Sequence, residues 1–373
     1  MASLDSYLVS PAAALVSLVG MAKLHPALSQ LARSTSANPP PRYLSFAVEQ
    51  AYAKYQPSRS GVQPELVLKH DWLHKHLRVS SAVVVLFIAW DDATSPSAVC
   101  AQLGIIRRAS RKSCRVLLVL VQASTRVSSQ SSTNDERVLV LRRACDLEAR
   151  NVLLVAAEGT DEAPRLEIAV AQRVEHAVME AAAAYYREEA RRSRKARNSS
   201  PQLIARYHFK RAIYCELAHD GAAAQRQWYQ TYSQLQELLR AMGLILPVAS
   251  EADRAAAGGV RLHEVKRVAE FVNRKICGFG FASPASHTEA FDEFRRHVRL
   301  FRPLVLPDQQ HDERSQAAAA HLHYGWLGKQ YRTLAKRAEE VYALAPANST
   351  NTVACSSYGL SLIHISEPTR RTP

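Results

Sequence analysis

The chain has 373 residues, 47% of them hydrophobic, and its 48 Lys and Arg against 34 Asp and Glu give a formal net charge of +14. These values are ordinary for a globular protein of about two domains and call for no unusual scaffold. The longest unbroken apolar run, residues 82–90, is too short to span a bilayer, and the apolar stretch at residues 11–22 follows Asp5 rather than a basic region. We therefore expect a soluble, non-secreted protein whose charge favours anionic lipid, nucleic acid or an acidic protein surface.

Up to about residue 165, short β-rich runs alternate with helical patterns. Continuous Val, Leu and Ile runs with helices between them are typical of a parallel sheet that is covered on both faces, so the sequence predicts an α/β layer domain. The predicted strands are residues 14–19, 43–48, 82–90, 115–121 and 151–156, and the predicted helices are residues 21–33, 98–110 and 136–149. We expect a Pro-rich connector at residues 34–41 and a solvated Ser/Thr-rich loop at residues 124–134.

After Pro164 only helical patterns remain. The predicted helices are residues 166–195, 203–217 and 222–242, then a helix pair within residues 262–301 and a last helix at residues 316–344. The positions expected to face a core are Ile168, Val174, Val178 and Ala182 in the first helix and Trp228, Tyr232, Leu235 and Leu239 in the third. The segment 247–259, rich in Ala and Gly, is expected to be a surface loop.

The helix pair carries the strongest periodic signal. Apolar residues at spacings of three and four predict a buried seam on each helix, and Ser286 with Glu289 has the pattern of a capping box that starts the second one. Gly278 and Gly280 lower the helix propensity at the end of the first. Two such helices joined by about five residues leave an apolar flank for the next hairpin, and a charge such as Val272→Asp should unravel the stack. The seams are Leu262, Val265, Ala269, Val272, Ile276 and Phe279, and then Phe291, Phe294, Val298 and Phe301.

The predicted fold class is thus α/β plus all-α. Residues 1–163 form the parallel-sheet domain, residues 164–345 form an α-solenoid of tetratricopeptide-like helix hairpins, and residues 346–373 form a disordered tail. The segment 361–370 has the look of a translated sequencing adapter, so we expect foreign sequence from about residue 356 and a truncated form of a longer protein.

The cysteines show no metal-binding or redox spacing. Cys100, Cys114, Cys145, Cys215, Cys277 and Cys355 are scattered without a C-x-x-C pair. Small buried thiols are the expected interpretation, and they suit a reducing cytosol.

The α/β domain offers little chemistry. Neither G-x-G-x-x-G nor G-x-x-x-x-G-K-[ST] is present, so the phosphate cradle of nucleotide-binding domains is missing, and no nucleophile-elbow pattern occurs. Asp91 and Asp92 follow the central strand where an acidic pair could hold Mg²⁺ or a phosphate-bound metal, although acidic residues and Thr94 at this position more often cap the next helix. The sequence therefore predicts no catalytic residue and no cofactor-binding residue.

Two groups of histidines are candidate metal ligands. His70 and His74 share one helical face around Trp72, with His76 nearby, but no Cys or suitable Glu completes a zinc site in this segment, so an exposed helix is the favoured interpretation. His321 and His323 carry still less information. We expect no metal.

The densest run of positive charge is residues 187–197. It ends a predicted helix, where cations complement the helix dipole, and this is the favoured interpretation over a lipid or nucleic-acid patch. No aromatic residues interleave with the cations, as a single-strand binding surface would require.

Several of these segments resemble one known domain. Residues 66–77 (LVLKHDWLHKHL) with the strand after Ala82, the helix at residues 209–217, residues 263–277 (HEVKRVAEFVNRKIC), residues 290–297 (AFDEFRRH) and residues 326–330 (WLGKQ) are similar, in order and spacing, to the foie gras domain. That domain belongs to the large subunit of trafficking protein particle (TRAPP) complexes, in the subunit eleven family. The resemblance covers roughly residues 10 to 345.

The resemblance implies a non-catalytic scaffold subunit of a TRAPP vesicle-tethering and Rab exchange-factor complex, acting in ER-to-Golgi transport and autophagy. The implied partners are other TRAPP subunits and, indirectly, a Rab-type GTPase, at the cytoplasmic side of Golgi and ER–Golgi intermediate membranes. No nucleic acid is expected. From its charge alone, the basic surface would fit peripheral contact with an anionic membrane. An enzyme or a nucleotide or metal binder that uses Asp91 and Asp92 is the alternative.

Overall fold

The computed structural model describes residues 12–34, 39–46, 67–68, 72–91, 94–110, 114–123, 131–158, 165–193, 200–244, 262–302 and 313–343. The chain divides into two compact units, the first comprising Met1–Arg197 with Arg206–Ala224 and the second Asn198–Ala205 with Gln225–Pro373. The predicted boundary near residue 163 stays a prediction. The expected loop at 247–259 and the expected tail at 346–373 lie outside the described residues.

The first unit is built on a five-stranded sheet of order β2-β1-β3-β4-β5, in which every pairing is parallel. Runs of β-branched and aliphatic residues form its central strands, and all five residues of β1 are buried. The predicted parallel sheet is confirmed. The strands are β1 (Leu15–Val19), β2 (Arg42–Phe46), β3 (Val83–Ala89), β4 (Arg115–Ala123) and β5 (Val152–Ala157).

Helices cover both faces of this sheet. On one face α2 (Pro96–Ala109) and α3 (Ser131–Ala144) bury Val99, Leu103 and Leu141 against the strands. On the other face α1 (His25–Ser34) and α4 (Ile168–Arg192) pack together, and α4 also contacts β3, β4 and β5. Because each connecting helix runs antiparallel to its strands, the last turns of α2 and α3 lie at the edge of the sheet where the strands begin.

The remaining helices are α5 (Pro201–Leu217), α6 (Gly221–Ala241), α7 (Leu262–Phe281), α8 (His287–Phe301) and α9 (Glu313–Ala343). The helical second half of the predicted fold class is therefore confirmed. The α6 seam of Trp228, Tyr232, Leu235 and Leu239 is buried, as are Val265, Ala269, Val272 and Ile276 of α7 and Phe294, Val298 and Phe301 of α8. Leu262, Phe279 and Phe291 are only partly buried.

Four local predictions are wrong. The helix α3 begins at Ser131, inside the predicted loop, because its polar first turn has no apolar periodicity, and it ends at Ala144, since Asp146 adopts a left-handed backbone (φ 50°). Ile168 is 69% exposed at the start of α4, one turn before the helix reaches the sheet. The residue before α8 is Ser286, as predicted, but its side chain forms no capping hydrogen bond.

The fourth concerns cysteine. Cys100 in α2 and Cys145, directly after α3, form a disulfide with their Cα atoms 5.3 Å apart. The scattered spacing predicts buried thiols, and spacing along the chain gives no sign that two parallel helices bring these residues together. Cys114, Cys215 and Cys277 are thiols outside this disulfide.

Candidate functional site

The carboxyl edge of the sheet is where ligands bind in open α/β folds, especially where the strand order reverses, here between β1 and β3. Asp91 follows β3 at this edge. Thr94 Oγ1 lies 2.7 Å from Asp91 Oδ1 and 3.0 Å from the Ala89 carbonyl oxygen. The residue that caps α2 is Ser95, which makes no side-chain capping bond, so the predicted capping role of Asp91 and Thr94 is wrong. Asp91 and Thr94 instead form hydrogen bonds within the turn that follows β3.

A cation covers the same turn. Arg137 Nη2 donates to the Asp91 carbonyl oxygen at 2.8 Å, and its guanidinium lies 4.6 Å from the centre of the Trp90 ring. Asp92 lies outside the described residues. Among the residues that the structure describes, no group of three or more His, Cys, Asp or Glu is placed to hold a metal ion. Asp91, Thr94 and Arg137 thus interact with one another and with the backbone of this turn.

His25 at the start of α1 is a polar group that the sequence analysis missed. Its Nε2 lies 2.7 Å from the Gly20 carbonyl oxygen, just after β1, and its Nδ1 lies 2.5 Å from Ser45 Oγ of β2. The ring is 3% exposed and packs near Phe87 of β3. Burial lowers the pKa of His25, and the bond to Gly20 opposes that shift. His25 therefore contacts residues in or next to β1, β2 and β3. No local sequence motif predicts this structural role.

Of the histidines around Trp72, the structure describes His74 and His76. His76 is 4% exposed, its ring centre lies 4.8 Å from that of Trp72, and its Nε2 is 3.5 Å from Tyr214 Oη of α5. His74 is exposed, and His70 lies outside the described residues. The segment was expected to be exposed, but this part of it is packed on α5, where Lys210 Nζ lies 5.6 Å from the Trp72 ring centre. The aromatic cluster anchors the segment before β3.

The predicted basic run at residues 187–197 is partly neutralised. Arg191 and Arg192 pair with Glu188, and Arg192 also pairs with Glu189. These contacts are spaced by three and four residues on α4, as on an ordinary solvated helix surface. Residues 194–199 lie outside the described part of the chain.

A second concentration of positive charge lies at the opposite, amino edge of the sheet. Arg42 and Arg115 are the first residues of β2 and β4, and the register Leu15↔Arg42, Val16↔Val83, Val83↔Arg115 places them at nearly the same level. Arginines in the last turns of α2 and α3 and in the segments before β3 and β5 reach the same edge. We call this set the amino-edge arginines: Arg42, Arg78, Arg107, Arg108, Arg115, Arg142, Arg143 and Arg150.

Sequence reasoning missed this set because its members are far apart along the chain. The signal that could have found it is positional, since arginine recurs where helices end and strands begin, and parallel topology gathers those positions at one edge. Arg107 Nη2 donates to the carbonyl oxygens of Cys145 and Asp146 and so joins the ends of α2 and α3.

In the second unit, a polar cluster joins two helices, α7 and α9. Trp326 of α9 donates its Nε1–H to Glu270 Oε1 of α7 at 2.6 Å, and Lys266 Nζ lies 4.6 Å from the Trp326 ring centre. Lys266 and Glu270 lie outside the apolar seam of α7, so α9 also covers part of the polar surface of that helix. His321 is exposed, and the side chain of His323 is outside the described residues. The contacts are those of helix packing.

Tyr232 of α6 and His297 of α8 form a buried polar pair in this unit, with Oη 2.8 Å from Nδ1. Burial first, and then the Arg274 and Lys266 charges, lower the pKa of His297 to about 3. The imidazole is therefore neutral at physiological pH and serves as a fixed hydrogen-bonding group.

Comparisons with known proteins point to one protein. No protein-family model matches the chain. Over 319 residues, 81% of this chain, it is 26% identical to trafficking protein particle complex subunit 11 of Bos taurus and of Gallus gallus, and 25% identical to the Homo sapiens protein. The chain spans about a quarter of the length of these curated relatives. In the described part of the chain, no helix combines the length and apolarity needed to cross a bilayer.

The matched share of the chain is too long to come from one helix hairpin, and it takes in both the sheet and the helices that follow. The three matches confirm the predicted likeness to the subunit eleven family of trafficking protein particle complexes, and their names do not mention the foie gras domain.

Proposed function

We propose that this chain is a non-catalytic scaffold subunit of a TRAPP complex, and that its helices at residues 164–345 form an α-solenoid that docks other subunits. The observation that carries the proposal is the match to subunit 11 across 81% of the chain in three vertebrates. The helix hairpins support it, because α6, α7 and α8 bury apolar seams against one another, as stacked modules do.

The finer role follows from the family. The complex acts as a vesicle tether and as an exchange factor for a Rab-type GTPase in ER-to-Golgi transport and autophagy, at the cytoplasmic face of Golgi and ER–Golgi intermediate membranes. This subunit positions the assembly and contacts an anionic membrane peripherally, while the exchange reaction belongs to other subunits. Its direct partners are therefore TRAPP subunits.

Affinity purification of the tagged chain from cells tests the proposal. We expect other TRAPP subunits to co-purify, and we expect Asp91→Asn with Asp92→Asn to retain them, because Asp91 serves its own turn through Thr94. Val272→Asp, which breaks the α7 seam, should lose them. Recovery of the isolated chain with a bound nucleotide or metal that the double Asn variant loses would instead favour the alternative, an enzyme or nucleotide binder of the α/β domain.

A further inference from the structure

The amino-edge arginines are the largest concentration of one charge in the described part of the first unit. Among the described residues, some acidic side chains share this edge: Glu148 pairs with Arg150 at 2.6 Å, Asp146 lies beside it after α3, and Glu188 and Glu189 in the last turns of α4 pair with Arg191 and Arg192. We propose that this edge is a membrane-docking surface that binds the anionic headgroups of a bilayer. The inference deepens the peripheral membrane contact of the proposed function and rests on it.

The arrangement of the charges suits a plane. Arg42, Arg115 and Arg150 lie at the starts of β2, β4 and β5, and with strands about 4.8 Å apart the row from β2 to β5 is about 19 Å long. A second row, about 10 Å away, comes from the last turns of α2 and α3. A bilayer surface can meet both rows at once, whereas the single charged line of an extended peptide or nucleic-acid strand follows only one.

These charges are poorly compensated within the unit. Among the described residues, Arg42, Arg78, Arg108 and Arg143 form no ion pair, and all four are exposed. Burial, and secondly the neighbouring Arg78 guanidinium, lower the pKa of Arg42, which shows that like charges approach one another here. An anion between them would relieve that repulsion. Arginine also offers planar paired donors, which match phosphate and carboxylate groups better than the point charge of lysine.

The charges at the opposite, carboxyl edge of the sheet bear on how the unit would orient at a membrane. Asp91 after β3, Glu158 after β5 and Glu167 before α4 lie at the carboxyl edge. Arg137 and Arg165 lie at the carboxyl edge as well, so that edge carries charges of both signs and an anionic bilayer would attract it less than the arginine-rich amino edge.

Apolar side chains accompany the arginines. Ile105 is 51% exposed one turn before Arg108 in α2, and Val140 is 56% exposed one turn before Arg143 in α3. Aliphatic side chains beside cations can enter the boundary between headgroups and acyl chains, which adds apolar burial to the electrostatic attraction. Leu139 of α3, which is 44% exposed, is a further apolar side chain of this kind.

Flotation of the full chain with vesicles tests the proposal. We compare phosphatidylcholine vesicles with vesicles that contain about 30% phosphatidylserine, at about 0.1 M salt, where charges act over about 10 Å. We expect binding to the anionic vesicles alone, and at least about tenfold weaker binding for the variant Arg42→Gln, Arg78→Gln, Arg108→Gln and Arg143→Gln.

The matched control removes the same number of charges from other elements: Arg165→Gln, Arg226→Gln, Arg299→Gln and Arg302→Gln, all at exposed positions outside the amino-edge set. This control should lose no more than about threefold, because distant charges contribute only through the net charge. A double variant, Ile105→Ser with Val140→Ser, should weaken binding at high salt more than at low salt, since its effect is apolar. Circular dichroism of each variant verifies folding.

Several results would overturn the proposal. One is equal binding to neutral and anionic vesicles, and another is an equal loss in the amino-edge and control variants. A third is retention of a DNA duplex or polyglutamate, abolished by the amino-edge variant, without binding to any vesicle, which would assign the surface to a linear polyanion. The flotation assay contains no other protein, so its outcome does not depend on whether TRAPP subunits co-purify with the tagged chain.

Discussion

Gly280 in α7 lies so close to Ala290 in α8 that a Cβ atom on Gly280 would stand 2.7 Å from the Cβ atom of Ala290 and 3.3 Å from the Ser286 carbonyl oxygen. Cβ atoms in folded proteins do not approach one another so closely, so the two backbones can meet here only because position 280 has no side chain. Ala290 is 2% exposed and belongs to a core cluster with Cys277, Phe281 and Phe294. Gly280 thus sets the spacing of the α7–α8 hairpin.

Gly280→Ala should destabilise the second unit despite the better helix propensity of alanine. The propensity gain is about 1 kcal/mol, and overpacking at a rigid contact costs about 1–3 kcal/mol. We expect a net loss of about 1 kcal/mol in the free energy of unfolding, measured by urea titration. Gly328→Ala in α9, where an added Cβ meets nothing within 4 Å, is the control and should be neutral or stabilising. Adding Ala290→Gly to Gly280→Ala should recover part of the loss, and additive effects would contradict the contact.

Val272→Asp should unfold the α7–α8 hairpin. Val272 is fully buried in the α7 seam, and a carboxylate there has no partner, so we expect a loss of at least about 3 kcal/mol in the free energy of unfolding. Far-ultraviolet circular dichroism during urea titration measures it. His263→Asp, an exposed position on the same helix, should change stability by less than about 0.5 kcal/mol. Equal effects of the two substitutions would show that the seam does not hold the hairpin.

Acidification should weaken the second unit through His297. The folded-state pKa of about 3 lies below the ordinary value of 6.5, so between these values the unfolded chain binds a proton that the folded chain does not. Stability is therefore present above pH 6.5 and is lost as the pH falls toward 3. Between about pH 7.5 and 5 the loss from this group is about 2 kcal/mol.

The matched variant for this prediction is His297→Gln, which keeps an acceptor for Tyr232 Oη but does not titrate. We expect its stability to fall by about 2 kcal/mol less than that of the unmodified chain over the same pH range, whatever its stability at neutral pH. Urea titrations at several pH values give both slopes. Parallel slopes would mean that His297 is protonated in the folded state.

The disulfide between Cys100 and Cys145 should stabilise the first unit. It closes a loop with a sequence separation of 45 residues, for which loss of unfolded-state entropy predicts about 2–4 kcal/mol. Mass spectrometry of a non-reduced digest should show a peptide that links Cys100 to Cys145. The double variant Cys100→Ser with Cys145→Ser should lose about 2–4 kcal/mol in the free energy of unfolding. Cys215→Ala, at a half-buried cysteine outside the disulfide, is the control. Unlinked peptides from protein purified without reductant would contradict the prediction.

Sequence patterns predicted those parts of the fold that depend on local periodicity. The run at Val83–Ala89 is apolar on both faces, which only a strand covered on both sides requires, and Trp228 to Leu239 repeats with the period of a helix. Gly280 shows the limit of such patterns. Its low helix propensity suggests a helix end, whereas α7 continues through it to Phe281 and uses it for packing.

The candidate site was harder to predict because its residues are assembled by topology. His25 bonds to Ser45 across two elements, and the amino-edge arginines come from at least six separate segments. No window of the sequence contains either group. The run at residues 187–197 stands out in the sequence because its charges are contiguous, yet Arg191 and Arg192 are neutralised by glutamates of the same helix. Contiguity in the chain and concentration in space are different properties.

The order of the strands also governs when the sheet can form on the ribosome. Ser17 of β1 lies 2.6 Å from Ser81 through their hydroxyl oxygens, although the two residues are 64 positions apart. At a synthesis rate of about 5–20 residues per second, several seconds pass between the synthesis of β1 and that of β3. A strand that is fully buried in the folded sheet thus emerges early and stays without its β3 neighbour during that interval, so chaperone demand during translation should be highest before Ala89 leaves the exit tunnel.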